Sequence, residues 1–255
     1  MKSPIALLIL LFFTSSAWAS GTQCVAHRGN SSEFPENSRE AILSAVEIGS
    51  HAVEFDIRHS SDGVPFVIHD KTLERTVIPD LKGCPTETLV SLLPIKMIRD
   101  NCLLPNFEPI PTLDEILNDL KETEVTLFIE YKDEPSLLDV QIIQKYFSRS
   151  PKKIFIISFK TQYLEKFKFW RNRHPFLNSV RLLKINRFGT RYKKKFDGVD
   201  SKLLTKRMVK KLHKNNKTSA VWTIDKEKKM KRYIKKDVQF ITTNKPKLCL
   251  DLVSQ

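Results

Sequence analysis

Beyond residue 20 the sequence has no apolar run long enough to cross a bilayer as a helix, which needs about 20 residues. It also lacks an internal repeat, which excludes a solenoid or propeller built from copies of one unit. No low-complexity linker interrupts it, so nothing marks a break between two full domains. Acidic residues are scarce in the second half: residues 151–255 hold 7 Asp/Glu against 30 Lys/Arg, whereas residues 1–150 hold 22 against 13. A net charge of +14 is therefore split into −9 and +23, and one half should carry a strongly positive field. Such a field draws a protein toward an anionic membrane or an acidic polymer, or serves solubility alone; specific nucleic-acid binding is not expected.

What is present is enough for one large core. The 255 residues are 41% hydrophobic and 28% charged, ordinary values for a globular chain, and barrels of alternating strand and helix reach this size as one domain. Lys2, an apolar run over 5–13 and Ala17-Trp18-Ala19 predict an export signal cleaved after Ala19, leaving 20–255 as a periplasmic or secreted domain. Four cysteines follow it, Cys24, Cys84, Cys102 and Cys249, an even number suited to two disulfides in an oxidising compartment.

From Cys24 onward short β-rich runs alternate with amphipathic stretches, the pattern of βα units on a parallel sheet. Strands are expected near 23–27, 52–58, 125–131, 153–158, 179–184, 198–201, 218–223 and 238–242. Helices are expected near 38–47, 113–121, 135–147, 161–171, 205–215 and 227–235, with a short one from Pro246. A further strand over 64–68 follows Asp62-Gly63, which suits a hairpin turn. The stretch 71–111 has several prolines, two cysteines and no clear period, and a loop that long is usually functional or stapled.

Successive side chains of a strand alternate faces, so Glu54 and Asp56 share one face while Val53, Phe55 and Ile57 share the other. The apolar set can pack outward against helices and leave two carboxylates pointing inward. Glu130 and Lys132 repeat the pattern. Buried carboxylates need a cation or a basic partner, and three that converge suit one hard divalent cation, Ca²⁺ or Mg²⁺; buried Glu–Lys ion pairs are the plainer alternative. His27-Arg28-Gly29 and His69-Asp70 end strands, and barrel enzymes place their chemistry at carboxyl ends of strands. A histidine near neutrality can act as general acid or base. His51, His59, His174 and His213 lack such settings and read as surface or structural.

His27-Arg28-Gly29, Pro35-Glu36-Asn37-Ser38, Glu54-x-Asp56, Asp62-Gly63-Val64, His69-Asp70 and Leu73-x-Arg75-Thr76 together resemble the amino-terminal signature of glycerophosphodiester phosphodiesterases. Glu130-x-Lys132, Ser158-Phe159, Val221-Trp222-Thr223 and Ile241-Thr242-Thr243-Asn244-x-Pro246 continue it to the end of the chain. Ser38 and Ser60 stand where threonine is common in that family, and both keep the hydroxyl; Asn37 suits either a site role or a helix cap.

The resemblance implies a (β/α)8 barrel with Glu54, Asp56 and Glu130 as metal ligands and His27 and His69 as the acid–base pair. Arg28 and Lys132 would hold the phosphate, Trp222 would line the pocket for the alcohol, and 71–111 would be the family's insertion over the barrel mouth. The implied reaction is hydrolysis of a glycerophosphodiester through a cyclic phosphate, with either histidine as the first base. Phospholipase D-like attack on lysophospholipid or sphingomyelin headgroups is a second reading, and a basic protein that binds anionic surfaces is a third. Cys84 and Cys102 should pair within the insertion. Cys24, three residues before inward-facing His27, should face outward toward Cys249 after the last strand.

Overall fold

The computed structural model of the chain describes residues 21–79, 82–187 and 195–255, apart from the side chain of Lys152. The expected export signal, and Lys193 and Lys194 of the basic half, lie outside the described residues. Eight parallel strands form the barrel: β1 (Gln23–His27), β2 (Ala52–His59), β4 (Thr126–Tyr131), β5 (Ile154–Ser158), β6 (Arg181–Asn186), β7 (Gly198–Ser201), β8 (Thr218–Val221) and β9 (Phe240–Thr243). Pairing of β1 with both β9 and β2 closes the ring, and β3 (Pro65–Val67) pairs antiparallel with the end of β2 as the expected hairpin.

Helices α1 (Arg39–Glu47), α3 (Leu113–Leu120), α4 (Leu137–Phe147), α5 (Thr161–Trp170), α6 (Lys206–Lys214), α7 (Glu227–Ile234) and α8 (Pro246–Val253) alternate with the strands, and α2 (Ile95–Asn101) lies in the insertion. Local chemistry starts several of them. Ser38 caps α1 by accepting from the Ala41 N–H at 2.9 Å. Thr112 and Glu115 form a capping box on α3, whose Leu113, Ile116, Leu117 and Leu120 are then turned at helical spacing onto the barrel.

Strand alternation sorts side chains as anticipated. Val53, Phe55, Ile57, Leu127, Ile129 and Tyr131 pack outward into the apolar layer under the helices. Val25, Ala52, Phe128, Phe155, Leu183, Ala220 and Phe240 fill the barrel interior. Phe128 stacks on Phe155 with ring centroids 4.5 Å apart, and Phe240 meets both edge-on at 5.0 and 5.3 Å. All three rings of this aromatic floor are buried.

Some boundaries shift for visible reasons. The sixth strand starts at Arg181 rather than 179, because the Ser179 and Val180 N–H groups close a 3₁₀ turn by donating to the Phe176 and Leu177 carbonyls. The insertion packs its own small core of Leu73, Val77, Val90, Ile98 and Leu104 against Phe66 of β3. Its helix α2 follows Pro94, which offers no side-chain cap, and is only seven residues long, so it left no periodic mark in the sequence. Both expected disulfides are present: Cys84–Cys102 ties the insertion, and Cys24–Cys249 ties the first strand to the last helix.

One partly buried ion network, with Asp139 at its buried end, joins β2 to α4. His59 donates through Nδ1 to Asp133 Oδ1 at 2.6 Å and through Nε2 to Asp139 at 3.0 Å, and Asp139 also accepts from the Ser136 N–H at 2.7 Å. Burial opposes the charge on His59, but the two carboxylates outweigh it and raise its pKa to about 9. A raised folded-state pKa means stability present below the unfolded value near 6.5 and lost as pH rises through 9. His59→Gln should therefore cost about 3 kcal/mol at pH 6, the scale of breaking a buried pair, with a deficit that shrinks by pH 10. Urea denaturation of both proteins across that range measures it; a deficit independent of pH would refute the ion-pair account.

Candidate active site

The carboxyl ends of the strands gather the functional side chains above the aromatic floor. Glu54 and Asp56 on β2 and Glu130 on β4 are almost wholly buried, at 2%, 0% and 6% exposure. Register pairs Asp56 with Glu130, so alternation within β2 and pairing across to β4 place all three carboxylates together. One oxygen from each lies within 4.8 Å of the others. Lys132 Nζ sits 3.0 Å from Asp56 Oδ1 and 2.6 Å from Glu130 Oε1, and Arg28 Nε lies 3.2 Å from Asp56 Oδ2.

Three carboxylates face two cations, and the imbalance shows in their acidity. Burial and the neighbouring Asp56 and Glu130 charges push the Glu54 carboxyl well above its ordinary range. Burial lifts Glu130 to about 7 against the pull of Lys132. Asp56 goes the other way: Lys132 and Arg28 overcome its burial and hold it low. Glu54 Oε1 is buried with no hydrogen-bond donor, an acceptor left for a ligand. The all-oxygen donor set and this orphaned atom fit a hard divalent cation.

His27, at the end of β1, presents Nδ1 to Asn244 Oδ1 at 2.6 Å. The Asn244 amide nitrogen donates to Asp225 Oδ2 at 3.0 Å, which fixes the Asn244 oxygen as acceptor and His27 Nδ1 as donor. Nε2 therefore keeps its lone pair and points toward Glu54, 3.9 Å away. Burial and Arg28 lower His27 to about 4, so the ring is neutral at ordinary pH. His69 follows β3 and donates from Nδ1 to Asp70 Oδ1 at 2.5 Å. Arg75 braces Asp70 at 2.6 Å and Glu36 at 2.7 Å, and Glu36 in turn accepts from Arg28 at 2.8 Å. Burial lowers His69, and the nearby Asp56, Lys132 and Arg28 charges all act on it.

The turn that aims Arg28 requires unusual backbone. Arg28 and Asn37 adopt left-handed conformations with φ of 57° and 61°. The Arg28 N–H donates to Glu54 Oε2 at 2.9 Å, and the Asn37 amide donates to Asp56 Oδ2 at 2.9 Å. Asn37 is thus a brace of the acidic cluster, while Ser38 beside it is the helix cap. Gly29 has φ of 80°, and a Cβ there would lie 2.5 Å from the Ala41 carbonyl carbon.

The structure brings all eight of the expected site residues to one end of the barrel, with Trp222 beside Phe159 in an edge-on contact at 5.3 Å. Sequence reasoning missed Asp225 and the role of Asn244 behind His27, and it missed Asp200. Asp200 sits inside the run Gly198-Val199-Asp200-Ser201, where four residues are too few for strand alternation to mark it.

Residues 27–248 match the model of the glycerophosphoryl diester phosphodiesterase family. The chain belongs to that family. Over 110 residues it is 37% identical to glycerophosphodiester phosphodiesterase 1 of Mus musculus, a match that spans 42% of this chain but only 33% of that curated relative. A crystal structure of a glycerophosphodiester phosphodiesterase from Parabacteroides distasonis aligns with a TM-score of 0.74 at 26% identity, over 91% of this chain and 97% of that one. A phosphodiesterase of Oleispira antarctica, solved with the product sn-glycerol-3-phosphate, aligns with a TM-score of 0.77 over 92% and 98% of the two chains; at 19% identity this is likeness of fold alone. The family shares its barrel with this chain, and its matched region runs from His27 to the terminal helix.

Gly29→Ala should misplace Arg28 and cost about 2 kcal/mol or more, through forced positive φ and the clash with Ala41. Thermal melting reads the loss, and a melt within a degree of the parent would reject the account of this turn.

Proposed function

We propose that this family member hydrolyses glycerophosphodiesters to glycerol 3-phosphate and an alcohol, with one divalent cation, Ca²⁺ or Mg²⁺, held by Glu54, Asp56 and Glu130. The observation that carries the reading is the convergence of three buried carboxylate oxygens within 4.8 Å beneath His27 and His69. When bound, the cation would polarise the phosphoryl oxygens and balance the excess negative charge. Arg28 and Lys132, already poised over Asp56, supply positive charge for the phosphate and for the charge that grows during attack. Trp222 lines the alcohol pocket.

The route consistent with two histidines starts inside the substrate. The glycerol hydroxyl next to the ester oxygen attacks phosphorus and loses its proton to one histidine, while the bond to the departing alcohol breaks and that alcohol takes a proton from the other. Water then opens the cyclic glycerol phosphate. Two features support His27 as the first base: its Nε2 carries the lone pair, and a neutral amide stands behind Nδ1. Burial lowers His69, but the Asp70 carboxylate behind it pulls the other way and fixes the ring, a setting that supports the acid role once the ring takes up a proton.

Turnover of a glycerophosphodiester panel should vanish in chelator and return with Ca²⁺ or Mg²⁺, and Glu54→Gln should lower it by about 100-fold or more. A substrate with the neighbouring hydroxyl methylated should bind and scarcely react. Full activity in chelator removes the cation from the reading, and rapid cleavage of the methylated substrate replaces the cyclic route with direct attack by water. Activity only on lysophospholipid or sphingomyelin would favour the phospholipase D-like alternative.

The chain is further proposed to act outside the cytoplasm, a setting supported by its two disulfides. There its basic half would adsorb to an anionic membrane or polymer. A groove between α6 and α7 supports this: it is lined by Lys206, Lys228, Lys231, Arg232, Lys235 and Lys236 with one acidic residue, Glu227, which pairs with Lys231. Binding to vesicles containing phosphatidylserine should weaken steeply between 0.05 and about 0.5 M salt as the Debye length shortens; equal binding at both would count against it.

A further inference from the structure

The residue that follows each strand from β4 to β8 is a cation or an aromatic ring: Lys132 after β4, Phe159 after β5, Arg187 after β6, Lys202 after β7 and Trp222 after β8. These strands are neighbours in the order β8-β7-β6-β5-β4, so the side chains line one side of the barrel mouth. They are also in contact. Phe159 and Trp222, whose strands are separated by β6 and β7, meet edge-on with ring centroids 5.3 Å apart. Lys202 Nζ lies over the Trp222 ring at 5.0 Å, while the Phe159 ring carries the Arg187 guanidinium at 5.4 Å and Lys132 Nζ at 5.9 Å. Lys132 reaches Asp56 and Glu130 as well, so this rim is continuous with the acidic cluster.

Two of these charges have no counter-charge. Lys132 faces two carboxylates, but among the described residues neither Arg187 nor Lys202 forms a salt bridge, and both are exposed. Residues 187–196 and 202–205 contain no Asp or Glu. The acids on the adjoining loops are engaged elsewhere: Asp133 with His59, Glu134 with Lys166, and Asp225 with Thr243 and Asn244. Asp200, inside β7, is pushed up to about 8 by burial and the Glu130 charge, so it does not offset them at neutral pH. An aromatic ring holds a cation in place without neutralising it, because it attracts through a quadrupole and has no net charge. Two whole positive charges are thus fixed beside Trp222, on the side of the mouth given to the departing alcohol. A quaternary ammonium there would meet like charges and find the Trp222 and Phe159 rings already carrying cations. A phosphate would meet a guanidinium fork and an ammonium, the groups that suit it best.

We infer that Arg187 and Lys202 select substrates whose departing alcohol itself carries a phosphate, an assignment that rests on the phosphodiesterase reading of this barrel. Arg28 and Lys132 serve the phosphate that is cleaved, and Arg187 and Lys202, held on Phe159 and Trp222, serve the second one. The second phosphate has two sources of the same chemistry: a monoester on the alcohol, as in a phosphorylated inositol, or the next diester of a glycerol phosphate chain. Selection against a cationic alcohol arises from repulsion as much as from the attraction of the anion.

Matched substrates test it through kcat/KM of the metal-loaded protein. Glycerophosphoinositol is compared with its 4-phosphate, glycerophosphoglycerol with the two-diester chain glycerophosphoglycerophosphoglycerol, and glycerophosphocholine supplies the cationic alcohol. In at least one pair the phosphorylated member should lead by about tenfold, the scale of one charge-assisted hydrogen bond, and should lead glycerophosphocholine by more. The pair with the larger ratio identifies the source of the second phosphate. The double variant Arg187→Gln with Lys202→Gln should bring both ratios toward one, and Lys202→Glu alone, which guards against a double variant that does not fold, should shift the order toward glycerophosphocholine. Arg187→Lys should keep much of the preference, an outcome that a purely structural arginine would not produce. Ratios near one in the wild type, or ratios that persist in full in the charge variants, overturn the selection by charge and leave the phosphodiesterase reading standing. If none of the five diesters is cleaved, the phosphodiesterase reading itself fails and the rim loses its alcohol with it.

Discussion

Excess negative charge buried at the mouth of the barrel is the constraint on which the other features depend. Glu54, Asp56 and Glu130 stand within 4.8 Å of one another, and Lys132 and Arg28 compensate two of the three. Carboxylates in so dry a place cannot all stay ionised without further positive charge or hydrogen bonds. The surrounding chain supplies what it can. Asn37 donates an amide to Asp56, the Arg28 N–H donates to Glu54, and Lys132 bridges Asp56 and Glu130. The remaining deficit shows as a Glu130 carboxyl lifted to about 7 by its burial. The buried rings of Phe128, Phe155 and Phe240 lie below, and an apolar floor strengthens every charge interaction above it.

Much of this was legible because a parallel strand has a period of two. Glu54 and Asp56, and likewise Glu130 and Lys132, are spaced to share an inward face, and the structure turns them inward together. The outward layer of Val53, Phe55 and Ile57 follows from the same spacing, and both disulfides follow from which face Cys24 occupies and from the short span between Cys84 and Cys102. Legibility ended where partners are distant in sequence and carry no period. Asn244 meets His27 across 217 residues, and Asp225 is understood only once Asn244 is seen. Asp200 occupies a strand of four residues, too short for alternation to stand out. Helix α2 lacks a side-chain cap and a full apolar stripe, and the small core of the insertion holds it in place.

The second layer behind the two histidines differs in a way that sequence spacing could not reveal. His27 rests on a neutral amide held by Asp225, whereas His69 rests on the Asp70 carboxylate held by Arg75. Arg75 also grips Glu36, and Glu36 grips Arg28, so one chain of ion pairs links the proton carrier His69 to the side chain poised for phosphate. Burial opposes the charge on Asp70, yet Arg75 and His69 hold its pKa down to about 2. It remains an anion through any pH at which the protein would work. The orientation of His69 is thus independent of pH even where its own charge is not.

Three departures from regular backbone sit beside the acidic cluster, while others, such as Asn216 and Asp237, serve ordinary helix-to-strand turns at the far end of the barrel. Arg28, Gly29 and Asn37 all have positive φ, and all lie in the loop that follows β1. Left-handed conformations cost energy for residues with a Cβ, so the surroundings must hold them there. Here the holding groups are the acidic residues themselves, since the Arg28 N–H and the Asn37 amide reach Glu54 and Asp56 only from that twisted path. The carboxylates therefore do two jobs. They offer oxygens to a cation, and their need for donors bends the first loop into the shape that carries Arg28 over the site. An apolar residue at Asp56 would remove one ligand oxygen and the acceptor for Asn37 together, leaving only the Glu54 contact to the Arg28 N–H to hold the loop.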